Sequence, residues 1–595
     1  MTSLSLSDRI RVQRESKIVE SISDKLKKYK LILRETDKSG VFCILRAIDH
    51  EQKVKEYREK TKAYKQLTSN PFEATLNKVI RLLNDLHSKQ NKIIAWQYNE
   101  MLPNAKTCKL AYMYFNPKTH KDGTPLRPIM HTIDSPTTNI SRLLDRLIRS
   151  IFNEKTEETT IIDGAHLIKR LQEYANAGHL KPTTLFCTFD INNLYTMLPQ
   201  QQSLDILQEF LQTYRMSKVR GIDIATIREL ARIVIEENVF IYRNKYYQQI
   251  IGGAMGSPFT LTLANIFMWK WEQESICKDL HSPQLYGQYI DDIFFTWNDT
   301  KENLEKLLEK LNNHHPNIKL EYKIGQSLPF LDVLLTNNNG TLSTSVYRKP
   351  AAEPYVVPFT SDHPQHIFRN IMQTALLRAI RYSSTFEAFN VERRNIRLML
   401  LYNGYPSTYI NKEFHKFFSQ FNLYDSYSSI LPMIKDDNQF NAIHNKIAPT
   451  PTHKQTLMAS DIALSQILDK DYENLMQVQA TNPTAKKKEK KKRLKRALFI
   501  HYTHEKRLRP LKRDIHEIYK TTFTDPTVSR VKLIVGNRNN PKAKTEFIRK
   551  KRPHESLRRH DFIPNNNEVL PDLDSLNSFS ILFKPFEKAV KQVRN

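Results

Sequence analysis

The 595-residue chain is poor in the residues that would staple it or loosen it. Its four cysteines, Cys43, Cys108, Cys187 and Cys277, lie far apart, with no Cys-x-x-Cys pair. That spacing excludes a disulfide framework and argues against a zinc site; isolated thiols of this kind are more often buried fillers than nucleophiles. No apolar run approaches the ~18–20 residues of a membrane span, and residues 1–8 lack the apolar stretch of a signal peptide. A soluble, intracellular protein with no membrane partner is expected. Glycine is scarce, 13 in all, so any cluster of it marks a turn or a close backbone approach. Acids are outnumbered, 63 Asp and Glu against 91 Lys and Arg, a formal net charge of +28. Such an excess points to a polyanionic partner, nucleic acid before an anionic membrane surface.

What is present can build a large core: 40% of the residues are apolar and 26% charged. The length corresponds to three or four domains. Residues 481–595 hold 30 Lys and Arg against 12 Asp and Glu, so the last fifth of the chain carries most of the excess charge. Residues 1–105 read as polar helices with Lys/Glu-patterned exposed faces. Residues 106–350 alternate strand-like runs (185–189, 239–242, 289–295, 328–335) with helical stretches (204–211, 222–237, 261–277). That alternation predicts an α+β unit, a sheet backed by helices. Helical periodicity returns over 365–480, for example at 367–382 and 386–402, and 481–595 read as a basic linker and C-terminal region.

Three features carry chemistry. Gly252-Gly253-Ala254-Met255-Gly256-Ser257-Pro258 places three of the scarce glycines within five residues, just ahead of a helical pattern. It reads either as an ordinary turn and helix cap or as a loop lying against a nucleotide. Tyr289-Ile290-Asp291-Asp292-Ile293-Phe294-Phe295 sets adjacent carboxylates in an apolar, strand-prone run, as at the tip of a hairpin; buried charge there must be paired or metal-bound. Leu185–Ile191 is an apolar strand with one acid near its end, Asp190, 101 residues before Asp291. A lone Asp is usually a solvated turn residue. Two or three converging at strand ends are what a pair of Mg²⁺ ions needs for phosphoryl transfer.

In this order, with the glycine loop between the acids, the segments FDINNLYT, GGAMGSPFTLTLANIFM, YIDD and LPFLDVLL resemble a reverse transcriptase. PKTHKDGTPLRPI at 117–129, with Tyr347-Arg348-Lys349-Pro350 and Ser361-Asp362-His363-Pro364, narrows the resemblance to the Penelope-like element family over about 110–420. The resemblance implies a right-hand polymerase, with fingers and palm over 106–350, a palm of antiparallel sheet backed by helices, and a helical thumb over 351–480. It implies an RNA template, a DNA primer, dNTPs, and two Mg²⁺ ions, with Mn²⁺ as a substitute. Asp190, Asp291 and Asp292 match the metal-binding, catalytic acids. Tyr195 matches the steric gate against a ribose 2′-hydroxyl; its other reading is core packing. Lys118, Lys121 and Arg127 match cations that contact the triphosphate. Gln249, Gly252, Gly256 and Ser257 match the loop facing template and primer, and Phe330-Leu331-Asp332 the segment gripping the primer end. Lys319 and Lys323 are both candidates for the general acid to pyrophosphate.

The chain departs from the family at Asn192-Asn193, where a Lys or Ser pair is common, and at Ser257-Pro258-Phe259-Thr260-Leu261, which lacks a second proline. Neither departure touches a metal ligand. No paired GIY and YIG segments follow residue 495, so an endonuclease-lacking member is implied, one that primes on existing 3′-hydroxyl ends. The tract Lys486–Arg493, the cluster Arg549–Pro553 and Arg558-Arg559 read as solvated linker, nuclear localisation signal or phosphate contact; nuclear import with RNA or DNA contact is favoured. The reading from a different class is a catalytically inactive, domesticated nucleic-acid-binding protein on the same fold, and three intact acids argue against it. A telomerase-like or intron-maturase enzyme is a third.

Overall fold

The computed structural model describes residues 6–37, 41–119, 121–280, 284–350, 353–421, 434, 436–481, 497–503, 511–522, 531–538, 553 and 555–559. The architecture is mixed α/β. Its centre is a four-stranded antiparallel sheet, ordered Tyr286–Tyr289, Asp292–Trp297, Leu185–Ile191 and Leu320–Gly325. Side chains alternate across a strand. Cys187, Phe189, Ile191, Ile293 and Phe295 therefore share one face, buried in the main core. On the opposite face Phe186 and Phe294 meet at 5.6 Å between ring centroids and belong to a smaller core. Further along that same face stand Asp190 and Asp292. One face thus turns from apolar to acidic along its length.

Helices Thr138–Lys155, Gln200–Thr213, Ile224–Glu236 and Pro258–Glu274 back the sheet. The last buries residues all round its circumference, among them Phe259, Leu263, Phe267 and Trp271, as a helix with neighbours on every side should. Truncating one of these aromatic side chains to Ala costs about 3–5 kcal/mol by the usual cavity arithmetic.

The second sheet corrects the reading of residues 1–105. Its five strands run in the order Tyr64–Leu67, Lys245–Gln249, Val239–Tyr242, Ala111–Pro117 and Leu126–His131, with one parallel pair, Ala111–Pro117 against Val239–Tyr242. An edge strand thus comes from the segment expected to be wholly helical, and Leu31–Glu35 pairs with Phe42–Arg46 as a hairpin. Val79, Leu83 and Met101 sit in the main core, so the boundary drawn at 105 cuts both a sheet and a core. Tyr64-Lys65-Gln66-Leu67 is short and half polar, and its strand state is conferred by its partner rather than by its own propensity.

The apolar run 328–335 is not one strand. Leu331 adopts φ +54°, and the chain reverses there between Ser327–Phe330 and Val333–Asn338. Helices Gln365–Tyr382, Phe386–Tyr402, Ser407–Ser419 and Asp437–Ile447 close around a separate core that includes Phe368, Leu376, Phe389 and Phe414. Helix His453–Thr481 then returns to the first unit, where Ser150 donates to Ser465 at 2.9 Å. The basic segments 486–493 and 549–552 lie outside the described residues. Arg558 is described, and it is fully buried: its Nε donates to Leu110 O at 2.9 Å and its guanidinium lies 5.0 Å from the Tyr112 ring. It is therefore packed against Leu110 and Tyr112 rather than presented to a phosphate, one of the readings the sequence left open. Among the described residues no helix is long and apolar enough to cross a membrane.

Candidate active site

The site is built on the acidic end of the central sheet. Antiparallel pairing sets Asp190 directly across from Asp292 on one side and from Glu321 on the other. Tyr289 pairs with Asp292, so Ile290-Asp291 form a two-residue hairpin turn, the tip expected for the paired acids. Ile290 takes φ +61°, a conformation β-branched residues avoid, at a cost of about 1–3 kcal/mol. The surroundings hold it there. Gln288, nearly buried, donates from Nε2 to Ile290 O at 2.8 Å, and its main chain bonds Thr159 O and Ile161 N, each at 2.7 Å.

A cleft opens beside this turn. Asp190, Asp291, Asn192, Tyr195, Met255, Lys118, Lys121 and Arg127 line it together. Lys118 follows the strand Ala111–Pro117, and Arg127 lies on the next strand, opposite Asn116. Residues apart by tens to hundreds in sequence thus share one opening. Burial holds the Lys118 ammonium below its ordinary pKa, with Arg127 and Lys121 adding to the effect while Asp37 and Asp190 oppose it. Burial pushes the Tyr195 phenol well up, and the nearby Asp291 adds to that; the phenol stays neutral at the cleft wall. Lys121 donates to Glu321 at 2.8 Å, and this hydrogen bond holds the Glu321 carboxyl below its ordinary range.

The glycine-rich segment is arranged differently from expectation. Gln249, expected to face template and primer, is 1% exposed; its Nε2 donates to Ile251 O and Gly253 O, and its Oε1 accepts from Asn238. It is an internal brace of the loop. Gly252, at φ +76°, comes so close to the Tyr195–Thr196 backbone that a Cβ would stand 2.4 Å from Tyr195 O. A Cβ on Gly256 would stand 2.0 Å from Met130 O. The nearest neighbours of both glycines are thus protein backbone. Ser257 precedes the first residue of helix Pro258–Glu274 and shares a 2.7 Å hydrogen bond with Ser141. Phe330, assigned to the primer grip, is 4% exposed and packs edge-on to Phe294 at 5.6 Å, while Asp332 faces Arg378 at 3.7 Å. The departure at Asn193 has a structural counterpart: it takes φ +53°, a left-handed conformation that Asn tolerates better than most residues. Of the two candidate lysines, Lys319 donates to Asn312 O at 3.0 Å, and Lys323 is exposed on the strand beside Thr188.

Sequence reading missed Glu321, Met255 and Asp37. Glu321 had a weak signal, the alternation Leu320-Glu321-Tyr322-Lys323 downstream of the paired acids. Asp37 had none, because its partner lies 90 residues away.

Carboxylate oxygens are the hard donors that Mg²⁺ prefers. Among the described residues no three His, Cys, Asp or Glu side chains form a ready-made metal cage. Mg²⁺ sites are commonly completed by substrate phosphates on one or two protein carboxylates, and Asp190 and Asp291 both line the cleft.

Compared with known proteins, residues 355–415 match the family model for an animal helix-turn-helix domain. They include helices Gln365–Tyr382 and Phe386–Tyr402 and part of Ser407–Ser419. No curated protein matches the chain. Among solved structures, the telomerase of Candida albicans with a fragment of telomeric RNA aligns at 10% identity over 76% of this chain and 71% of that one, with a TM-score of 0.47. Apo telomerase from Candida tropicalis aligns at 11% identity over 77% and 75%, TM-score 0.40. The Sicinivirus RNA-dependent RNA polymerase aligns at 10% over 54% and 71%, TM-score 0.33.

Proposed function

We propose that the chain is a Penelope-like RNA-directed DNA polymerase of a retroelement that extends a DNA 3′-hydroxyl with dNTPs. The observation that carries this reading is the register of the central sheet: it sets Asp190 across from Asp292, with Asp291 at the adjoining turn, beside a cleft that three cations also line. The acidic sheet is the palm, the five-stranded sheet with its cation-bearing loop the fingers, and the helices of 365–447 the thumb. The helix-turn-helix likeness at 355–415 fits a unit that lies against nucleic acid.

In this reading Lys118, Lys121 and Arg127 bind the triphosphate, the Arg through paired N–H donors. Tyr195 closes the cleft wall where a ribose 2′-hydroxyl would sit. Asp190, Asp291 and Asp292 would hold two Mg²⁺ ions, whose Lewis acidity would favour the 3′-alkoxide and offset the pyrophosphate charge. Gln249, Gly252 and Gly256 act behind this surface by fixing the loop that packs on Tyr195 and Met130. The template is RNA and the working compartment the nucleus, the site of a chromosomal primer.

Primer extension on RNA and DNA templates, with dNTP or NTP and with Mg²⁺ or Mn²⁺, tests the reading. Asp291→Ala should lower incorporation by about a thousandfold or more, the several kcal/mol a positioned metal supplies. Equal activity in parent and variant would refute it.

A further inference from the structure

We propose that Asp37, outside every recognised polymerase segment, is a positioning residue that holds the Arg127 guanidinium at the nucleotide cleft. The inference rests on the polymerase reading and deepens it, since it gives the N-terminal hairpin a part in nucleotide binding.

Asp37 follows the strand Leu31–Glu35, which pairs with Phe42–Arg46. The loop it begins is closed by Thr36 N–H donating to Val41 O at 2.9 Å. The Asp37 N–H donates to Pro117 O at 3.0 Å, one residue before Lys118. The carboxylate is thereby fixed against the strand that leads into the cationic loop. Its side chain is only 4% exposed, and Oδ2 stands 3.3 Å from Arg127 Nη1 on the adjacent strand. Arg127 is 32% exposed and lines the cleft. A guanidinium has five donors in a rigid fork, so one carboxylate can hold it from behind while other donors remain for phosphate.

Charge supports the same assignment. Three cations share a small opening, and their mutual repulsion would turn each toward bulk water. A buried anion behind Arg127 offsets that repulsion without occupying the opening. The second ion pair at the cleft contrasts with it: Lys121 and Glu321 are 35% and 53% exposed, and a solvated pair of that kind constrains geometry little. Asp37 is the fixed partner and Glu321 the exchangeable one.

The test is a double-mutant cycle in the full chain, read as single-nucleotide incorporation on a fixed primer–template. Asp37→Asn should raise the KM for dNTP about tenfold, the scale on which losing a close, partly buried ion pair weakens a positioned cation. Its kcat and its Kd for the primer–template should stay within about twofold of the parent, since uniform binding is what is lost. In an Arg127→Ala background Asp37→Asn should add nothing, because its effect runs through the guanidinium. Asp37→Glu, which keeps the charge, should recover most of the loss. If Asp37→Asn folds poorly by thermal melting, Asp37→Ser replaces it with the same expectations. Equal KM increases in both backgrounds, or an unchanged KM for Asp37→Asn while Arg127→Ala raises it, would overturn the inference alone. An Arg127→Ala variant with parental KM would overturn the inference and the triphosphate role of Arg127, and an inactive parent would overturn the polymerase reading and the inference with it.

Discussion

Gly252→Ala perturbs the hinge between the glycine loop and the cleft wall. Gly252 sits at φ +76°, and its N–H donates to Leu198 O while Gly253 N–H donates to Tyr195 O, each at 2.8 Å. The added methyl would lie 2.4 Å from Tyr195 O and 2.7 Å from Thr196 C and Cα, all backbone atoms that cannot swing aside. The left-handed conformation costs Ala about 1–2 kcal/mol, and overpacking adds about 1–3 kcal/mol. Together these come to roughly 2–5 kcal/mol, or a fall in Tm of roughly 4–20 °C at ~2–4 °C per kcal/mol. The surface that must yield carries Tyr195, and a displacement of about 1 Å there should lower kcat/KM for dNTP by up to about a hundredfold. Gly178→Ala is the internal control: it has the same φ, +76°, with nothing within 4 Å of the new Cβ. It should lose only the conformational part, roughly 2–8 °C, and keep parental activity. Melting curves and single-nucleotide kinetics on the two variants decide the matter. Equal Tm shifts, or parental kcat/KM in Gly252→Ala, would refute the packing argument.

Two further outcomes are expected. Tyr195→Ala should raise ribonucleotide relative to deoxyribonucleotide incorporation by about 10–100-fold, the discrimination a shape-based pocket provides; an unchanged ratio would assign Tyr195 to packing alone. Glu272, buried in helix Pro258–Glu274 near Tyr286 and Cys277, has its carboxyl pushed up to about 8 by burial. A carboxyl raised on folding contributes stability that is whole below its unfolded range, near pH 4.5, and is lost as pH climbs toward 8. Glu272→Gln should therefore flatten the decline of Tm between pH 5 and 8; parallel Tm profiles for parent and variant would contradict this.

Much of the site was legible because its acids sit where sequence arithmetic works. Asp190 ends an apolar alternation, and the Asp291-Asp292 pair interrupts one, so each stands out against a buried strand. The helices were legible for the same reason, with 386–402 matching its observed bounds. What failed was reading local chemistry as surface chemistry. Gln249 and Arg558 look like contacts for a polyanion, yet both are buried: Gln249 bonds backbone of its own loop and the Asn238 side chain, and Arg558 Nε donates to Leu110 O. Tyr64–Leu67 has no strand signature of its own and takes its state from Lys245–Gln249. Leu331 lies in an unbroken apolar run, and only the packing of both flanking strands makes its turn intelligible.

The order of residues by itself determined the alternation that builds strands, the periodicity that builds helices, and the sites where charge interrupts them, because these follow from neighbours a few positions apart. The tertiary structure alone decided that Asp190 faces Asp292 and Glu321, that Asp37 reaches Arg127, and that Gly252 presses on Tyr195. Those contacts join segments separated by tens to hundreds of residues. Register between strands, burial behind a loop and the room left for one methyl group exist only once the chain has closed on itself.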